Sequence, residues 1–252
     1  MALIAMDPMD QFKVKTVASI QAGPIDISIT NVVVSMWIAV GITIVLLLLA
    51  TSKKAIIPGR GQSVAEITYE FIADMIRSTA GSDGLRFFPF VFTLFIFVLA
   101  TNMLGMVPGF FTVTSQVAVT AVLALSVFFL VIFYGFYKNG LRFFKLFVPS
   151  GVPVVILPFI VIIELMSFFS RPLSHSLRLF ANMLGGHTVL KVFAGFIVTI
   201  GGMGGLASLG AIGPFVFTIA ILALEFLVAF LQAYVFAILT CIYLNDALHP
   251  GH

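Results

Sequence analysis

Two arginines, two histidines and an asparagine occur together in residues 171–187, RPLSHSLRLFANMLGGH, within an otherwise apolar region. Such residues are rare inside membranes and mark ion pathways or binding sites, because an arginine at the bilayer centre costs about 2.5–3.5 kcal/mol on insertion scales. Arg178 is the clearest functional candidate, since its guanidinium does not lose its proton in a protein. No acidic residue lies within one turn of it in the sequence. We therefore expect its partner on another helix or another chain.

A helical conformation puts most of these polar residues on one face. At about 100° per residue, six residues fall within about 60° of Arg178: Glu164, Ser167, Arg171, Ser174, His175 and Asn182. His187 falls about 180° away, on the opposite face. With a rise of about 1.5 Å per residue, Glu164 lies about 21 Å from Arg178 on one side and His187 about 13 Å on the other. At that distance Glu164 could also lie at the membrane interface.

The next apolar segment carries Glu225 and Gln232, which lie about two turns apart on nearly the same face. If the two segments are antiparallel, His187 and Glu225 lie at similar depth on neighbouring helices. A buried imidazole and carboxylate can then share and relay a proton, because histidine exchanges protons near neutral pH. The same pair could instead be a structural contact between helices, which is a common use of polar residues in membranes.

Structural roles remain open for most of the other polar residues. Asn182 and Gln232 could form packing hydrogen bonds between helices. Arg171 and His175 could be interfacial or scaffold residues. Serines such as Ser174 often bond to backbone carbonyls within a helix.

Together these residues predict two half-paths for protons, separated by a fixed cation. Arg178 neither releases nor passes a proton, so a proton could move between the half-paths only on a mobile carrier, such as a carboxylate of a partner chain. The membrane field would supply about 2.3 kcal/mol per charge per 100 mV. The sequence predicts no cofactor and no metal site, and Cys241 is its single cysteine.

The elements that carry these residues must be membrane helices. Hydrophobic residues make up 61% of the 252-residue chain and charged residues only 9%, whereas soluble domains carry about 25% charged residues. Neither charged residues nor histidines occur in residues 27–52, 87–137, 192–224 and 226–245. Each run is long enough for a membrane helix of about 20 residues. Apolar runs far longer than about ten residues argue against a membrane β-barrel.

We predict an all-α membrane protein with one domain and about five crossings. The predicted segments are a polar arm 1–27, a first span 28–50, an interfacial helix 62–80, spans 87–107 and 115–137, and two long helices 149–197 and 206–246. Helices of about 40 residues reach roughly 60 Å, twice the thickness of the hydrocarbon core. The last two helices must therefore tilt steeply, bend or protrude.

The segment 62–80 differs from the spans because it is amphipathic. Ser63 and Glu66 have the spacing of a capping box, which predicts a helix start, and Gly81 and Gly84 are expected to end the helix. Its charged residues share an arc of about 80°: Glu66, Glu70, Asp74 and Arg77. Such a helix would lie in the membrane interface. The alternative is a helix outside the membrane that packs on a partner.

Basic residues follow the first and third spans and predict the topology. They are Lys53, Lys54, Arg60, Lys138, Arg142 and Lys145. The opposite connections, 108–116 and 199–213, carry no charge. Under the positive-inside rule, the basic loops face the cytoplasm or matrix, which puts the N-terminus outside and the C-terminus inside. Because this clustering accounts for the basic charge balance, we predict no nucleic-acid partner.

Three stretches resemble the a subunit of the membrane sector of F-type ATP synthases: IIELMSFFSRPLSHSLRLF at 162–180, SLRLFANMLGGH at 176–187 and LQAYVFAILTCIYL at 231–244. The resemblance implies that Arg178 is the stator arginine facing the proton-carrying carboxylates of a rotating c-ring, with Asn182 and Gln232 flanking it. It also implies that Glu164 belongs to the inner half-channel, and that His187 and Glu225 form the outer half-channel pair. The implied partners are c-ring subunits, a b-type peripheral-stalk subunit, the lipid bilayer and translocated protons. The resemblance implies no ATP chemistry in this chain.

The order of the outer pair departs from the common bacterial pattern, which has the acid first and the histidine second. Here His187 precedes Glu225, an arrangement similar to that of mitochondria. The resemblance therefore implies a bacterial plasma membrane in an organism near the mitochondrial lineage, or alternatively the mitochondrial inner membrane. A stand-alone proton channel or secondary transporter would predict inverted repeats and an internal acidic partner for Arg178, and the sequence shows neither. A non-conducting membrane scaffold is the third alternative.

Overall fold

The computed structural model describes residues 9–22, 25–26, 28–52, 55, 57–107, 109–148, 153 and 155–249. Six α-helices dominate this part of the chain: α1 Asn31–Thr51, α2 Arg60–Gly84, α3 Phe88–Gly105, α4 Val117–Asn139, α5 Leu157–Gly201 and α6 Ile212–Leu248. Short 3-10 helices cover Asp10–Phe12, Leu85–Phe87, Val113–Ser115, Gly140–Phe147 and Gly205–Ala211. The strands are two or three residues long: β1 Thr16–Ala18, β2 Gln21–Ala22, β3 Ile25–Asp26 and β4 Ile29–Thr30.

Five helical stretches within the described residues are long and apolar enough to cross a membrane. They are Asn31–Thr51, Arg60–Gly105, Val117–Phe147, Leu157–Gly201 and Ser208–Leu248. The predicted fold class, an all-α membrane protein with about five crossings, is therefore confirmed. α5 begins at Leu157, and the predicted start of that segment, 149–152, lies outside the described residues. Lys53, Lys54 and parts of the arm 1–27 also lie outside them.

The chain groups into two compact units. Unit one comprises Met1–Gly41, Val98–Gln116 and Leu179–Gln232, and unit two comprises Ile42–Phe97, Val117–Arg178 and Ala233–His252. Both α5 and α6 contribute one part to each unit, because α5 changes unit after Arg178 and α6 changes unit after Gln232.

In unit one, side-chain hydrogen bonds fasten the N-terminal arm. The Asn31 side chain accepts a hydrogen bond from the Lys15 amide at 3.0 Å and donates one to the Lys13 carbonyl at 3.2 Å. The Gln116 amide donates to the carbonyl of Phe12 at 3.0 Å, and the Phe12 side chain is buried. Antiparallel pairing of β1 with β4 and of β2 with β3 completes the arm.

In unit two, α2 starts earlier than the capping-box spacing predicts, so that prediction was wrong. The helix begins at Arg60 after an extended Gly59 that makes no side-chain cap. Ser63 therefore lies inside the first turn, where its hydroxyl donates to the Gly59 carbonyl at 3.1 Å. Glu66 accepts a hydrogen bond from the Gln62 amide at 2.7 Å instead of reaching back to the cap.

The end of α2 is interrupted at Gly81, where the sequence predicts a break. Gly81 has φ 67° and ψ −169°, a region of backbone space that is open essentially to glycine alone. The helical path resumes after it and continues to Gly84. Residues Ile72 and Ile76, in the second half of the helix, are fully buried in unit two.

Aromatic packing supports the first half of α5 in unit two. Phe168 of α5 contacts Phe128 of α4, with 5.1 Å between ring centroids, and Phe147, with 5.3 Å. Gly135 of α4 leaves room for the Phe143 ring, since a Cβ atom at Gly135 would collide with that ring. These contacts hold the α5 segment that carries Arg171 and His175 against α4.

Candidate functional site

His187 of α5 and Glu225 of α6 face each other inside unit one. Both side chains are buried, and His187 Nε2 lies 3.5 Å from Glu225 Oε1. This separation is within ion-pair distance but exceeds the usual 2.7–3.2 Å of a hydrogen bond. Neither carboxylate oxygen of Glu225 has a hydrogen-bond partner among the described residues. The structure therefore brings together the acid and the imidazole that the sequence suggested as a proton relay.

Two residues that sequence reasoning missed shape this pair. A Cβ atom at Gly186 would lie 2.7 Å from Glu225 Oε1, so only glycine allows the carboxylate to approach α5 so closely. Thr112 contributes its Oγ1 at 3.4 Å from His187 Nε2. Gly186 could have been found from its position beside the histidine, whereas Thr112 belongs to an uncharged connection without a distinguishing pattern.

A large open cavity in unit one leads to the His187 side of the pair. Its volume is about 870 Å³, and His187 and Thr112 are among its lining residues. The arm and α1 contribute polar residues to the lining, as does α5: Lys13, Lys15, Asn31, Ser35 and Lys191. The arm, for which the sequence suggested no role, therefore forms part of the wall. An opening of this size and polarity can hold water beside the imidazole.

The amides of Asn182 and Gln232 bond to each other in unit one. Asn182 Nδ2 donates to Gln232 Oε1 at 2.8 Å, and the Gln232 side chain is buried. The sequence predicts that both residues have polar roles between helices, but it does not predict that they bond to each other. The bond links α5 to α6.

A second buried amide, missed by sequence reasoning, lies deeper in unit one. Asn102 of α3 donates to the Ala229 carbonyl at 3.3 Å, and its own carbonyl oxygen accepts from the Thr114 hydroxyl at 2.7 Å. An asparagine within a long apolar run was the available signal. Because the Ala229 carbonyl belongs to α6, this network fixes α6 near Glu225.

In unit two, Arg171 forms an ion pair with Asp246 of α6. Its Nη1 atom lies 2.6 Å from Asp246 Oδ2, and the two side chains are 23% and 27% exposed. The guanidinium also lies over the rings of Tyr243 and Phe168, at 5.0 Å and 5.6 Å from their centroids. Arg171, whose role the sequence left open, is thus held by α6. Asp246 was missed, although it is the one acidic residue of the apolar segment after Glu225.

His175 and Ser174 have contrasting environments on neighbouring positions of α5. His175 is buried, and its ring centroid lies 3.8 Å from that of Phe236. Ser174 is exposed. The neighbouring Ser176 is the serine that forms a contact between helices, at 3.0 Å from the Thr120 hydroxyl.

Arg178 and Glu164 have no partner for their charges within the described part of the chain. Arg178 is exposed on α5 and forms no hydrogen bond or ion pair with any described residue. Glu164 is half-buried and likewise forms no ion pair there. Apolar side chains near Arg178, such as Leu173 and Leu177, are also exposed. The surface around this arginine therefore has the composition of a face covered by lipid or by another membrane protein.

The chain is similar to known proteins over nearly its whole length. A family profile described as ATP synthase A chain matches residues 33–245. Proteins described as ATP synthase subunit a from Nitrobacter hamburgensis, Maricaulis maris and Rhizobium etli (strain CIAT 652) are 59%, 58% and 56% identical to it. These alignments cover 98%, 98% and 97% of this chain and 100%, 98% and 98% of the relatives. Together with its five membrane-spanning helices, these matches show that the chain belongs to the ATP synthase A chain family, the a subunits of F-type ATP synthases.

Proposed function

We propose that this chain is the proton-conducting stator subunit that couples proton flow to rotation in its ATP synthase. The observation that carries the proposal is Arg178, a permanent cation on an exposed, apolar face of a membrane helix, without an acidic partner among the described residues. A charge in that environment needs a compensating group from outside the chain. A carboxylate on a ring of c subunits moving past α5 supplies one.

The outer half-path consists of the cavity of unit one and the His187–Glu225 pair. Protons reach the imidazole through the open cavity, and His187 passes them to the Glu225 carboxylate 3.5 Å away. The hydroxyl of Thr112 orients the ring at the same nitrogen. From Glu225 the proton moves to the carrier carboxylate, which becomes neutral and can enter the lipid.

Arg178 separates the two half-paths. Its positive charge draws the ionised carrier carboxylate toward it and prevents a proton from crossing directly, because a guanidinium neither gains nor loses a proton. Each proton that moves the full distance releases about 2.3 kcal/mol per 100 mV of membrane potential. The Asn182–Gln232 bond, which begins one helical turn after Arg178, holds α5 and α6 together at this level.

The inner half-path includes Glu164, and the polar residues Arg171, Ser174 and His175 belong to the same side of Arg178. We place the N-terminus outside and the C-terminus inside the plasma membrane of a bacterium, consistent with the bacterial relatives and the basic connections. A b-type peripheral-stalk subunit is the further partner that keeps this chain from turning with the ring.

The Arg178→Ala variant tests the proposal in the intact ATP synthase reconstituted into vesicles. We expect ATP-driven proton pumping, followed by a pH-sensitive dye, to fall below about a tenth of the wild-type rate, because the fixed cation is lost. The control is Arg142→Ala, which removes an exposed cation of the 3-10 segment Gly140–Phe147 and should leave pumping unchanged.

Normal coupled pumping by Arg178→Ala would contradict the stator assignment. A stand-alone channel makes a different prediction, namely that the purified chain by itself carries protons across vesicles. We expect no conduction by the chain alone, since the mobile carrier belongs to the ring.

A further inference from the structure

His175 is a buried polar residue that the His187–Glu225 relay does not involve. Its side chain is only 4% exposed, and its Nε2 atom has no hydrogen-bond partner among the described residues. The ring is covered on one side by Phe236 and lies 6.0 Å from Tyr243 between centroids. Buried ring nitrogens are almost always bonded to protein or to an ordered water. This nitrogen therefore requires a partner that the described residues do not supply.

A small cavity of unit two adjoins this imidazole. Its volume is about 10 Å³, which matches the roughly 10–15 Å³ needed for a single water molecule. The polar side chains of its lining are Arg171, His175 and Tyr243. The remaining wall is apolar and includes Ala124 of α4.

Pro172, which lines this cavity, leaves one backbone carbonyl of α5 without its usual helical donor. Proline has no backbone N–H, so the carbonyl four residues earlier in α5, that of Phe168, receives no helical hydrogen bond from it. Phe168 and Pro172 both line the cavity. The guanidinium of Arg171 has five N–H groups, and its contact with Asp246 occupies one terminal nitrogen. Donors and acceptors for one water, two to four of which are usual, are thus available around the cavity.

We propose that this cavity binds one water molecule through His175 Nε2, and that His175 is a positioning residue for the inner half-path. The inference rests on the proposed function. Among the charged or titratable groups, Arg171 of α5 and Tyr243 of α6 line the site, and Asp246 of α6 is paired with Arg171. During ATP-driven pumping the water oxygen accepts a proton that enters from the inner side, and one of its other hydrogens leaves toward the carrier carboxylate of the ring. The water is thereby regenerated, and His175 itself remains unchanged.

Two substitutions of His175 separate positioning of a water from mere packing. In the intact, reconstituted ATP synthase, we expect His175→Gln to keep at least half of the wild-type rate of ATP-driven proton pumping, because an amide can still bond the water. His175→Leu, which keeps the bulk but has no polar atom, should lower the rate at least fivefold. Equal loss in both variants, or no loss in the Leu variant, overturns the inference.

A second pair of variants fills the cavity without touching His175. Ala124 is buried and lines the cavity, so Ala124→Val occupies the space of the water and should lower pumping at least fivefold. The matched control is Ala118→Val on the same helix, because Ala118 is exposed, and it should pump at the wild-type rate. Wild-type pumping by Ala124→Val overturns the inference.

The water can also be observed directly in the wild-type complex. This measurement does not require that any variant assembles into the ATP synthase. A high-resolution density map of the wild-type ATP synthase in lipid should show a water within about 3.2 Å of His175 Nε2, and an empty cavity overturns the inference. The Arg178→Ala experiment keeps this result separate from the stator proposal. If Arg178→Ala abolishes pumping while His175→Leu and Ala124→Val pump at the wild-type rate, only the water site fails.

Discussion

Single residues decide how closely the buried imidazole and carboxylate of unit one can approach each other. Glu225 reaches its position beside His187 because Gly186 has no side chain, and the Thr112 hydroxyl lies against the same ring nitrogen. The 3.5 Å between His187 Nε2 and Glu225 Oε1 is within ion-pair distance, and a slightly closer approach brings the two groups into hydrogen-bond range. The proposed relay therefore depends on the small residue beside it as much as on His187 and Glu225 themselves.

Adding a methyl group at Gly186 should disturb the relay selectively. In Gly186→Ala the new Cβ would lie 2.7 Å from Glu225 Oε1, so the carboxylate must move away from His187. We expect the rate of ATP-driven proton pumping in reconstituted ATP synthase to fall at least fivefold. Gly185→Ala is the matched control, because a Cβ at Gly185 meets nothing within 4 Å. Equal rates in the two variants would show that the position of Glu225 is not critical.

At the scale of elements, α5 and α6 are linked by specific polar contacts within each unit. Unit one has the Asn182–Gln232 amide bond and the His187–Glu225 pair, and unit two has the ion pair of Arg171 with Asp246. Apolar side chains on membrane helices give little specificity of register, since lipid tails are equally apolar. These polar contacts therefore select the register of the two helices.

Removing the acid of the ion pair in unit two should weaken the packing of α6 on α5. Asp246→Ala leaves the guanidinium of Arg171 without its partner, and hydrogen bonds to charged groups contribute about 1.5–3 kcal/mol. We expect this chain to dissociate from the purified ATP synthase at a lower temperature. The measurement is the temperature at which half of the chain has been lost from the assembled complex. Asp74→Ala is the control, since the Arg77–Asp74 pair is 60% and 72% exposed and exposed pairs contribute about 0–1 kcal/mol. An equal midpoint for the two variants would contradict a stabilising role for Asp246.

For the whole molecule, the described basic residues of the predicted inner side lie at the ends of helices or in the connections between them. They are Arg60, Lys138, Arg142 and Lys145. The opposite connection, Gly205–Ala211, carries none. This distribution supports the proposed orientation, in which the two proposed half-paths open on opposite sides of the membrane.

Thiol labelling tests this orientation. The Lys15→Cys variant places a thiol on the exposed N-terminal arm, and Lys145→Cys places one on an exposed position after α4. A membrane-impermeant maleimide added to intact spheroplasts should label the Lys15→Cys variant only, and inverted vesicles should give the opposite result. The native Cys241 is fully buried, so labelling of the wild-type protein measures the background signal. Labelling of both variants from one side contradicts the predicted topology.

Composition and periodicity are enough to predict the class of the protein and its most unusual charges. Long apolar runs require membrane helices whatever their packing, because every backbone polar group in lipid must be bonded within its own segment. The helical periodicity of α5 predicts that Arg178 and His187 lie on opposite faces. The antiparallel order of two consecutive segments is enough to predict that His187 and Glu225 form a pair. Such inferences depend on local geometry, which a sequence specifies directly.

Contacts between segments distant in the chain, by contrast, are visible only in the folded molecule. Asp246 as the partner of Arg171, Thr112 beside His187, and Asn102 bonded to Ala229 each join residues 75 or more positions apart. The cavity wall formed by the arm and the small cavity lined by both His175 and Ala124 arise in the same way. Periodicity does not predict them, because they depend on the rotation and register of whole helices against one another. Those quantities are set by the packing of many side chains at once.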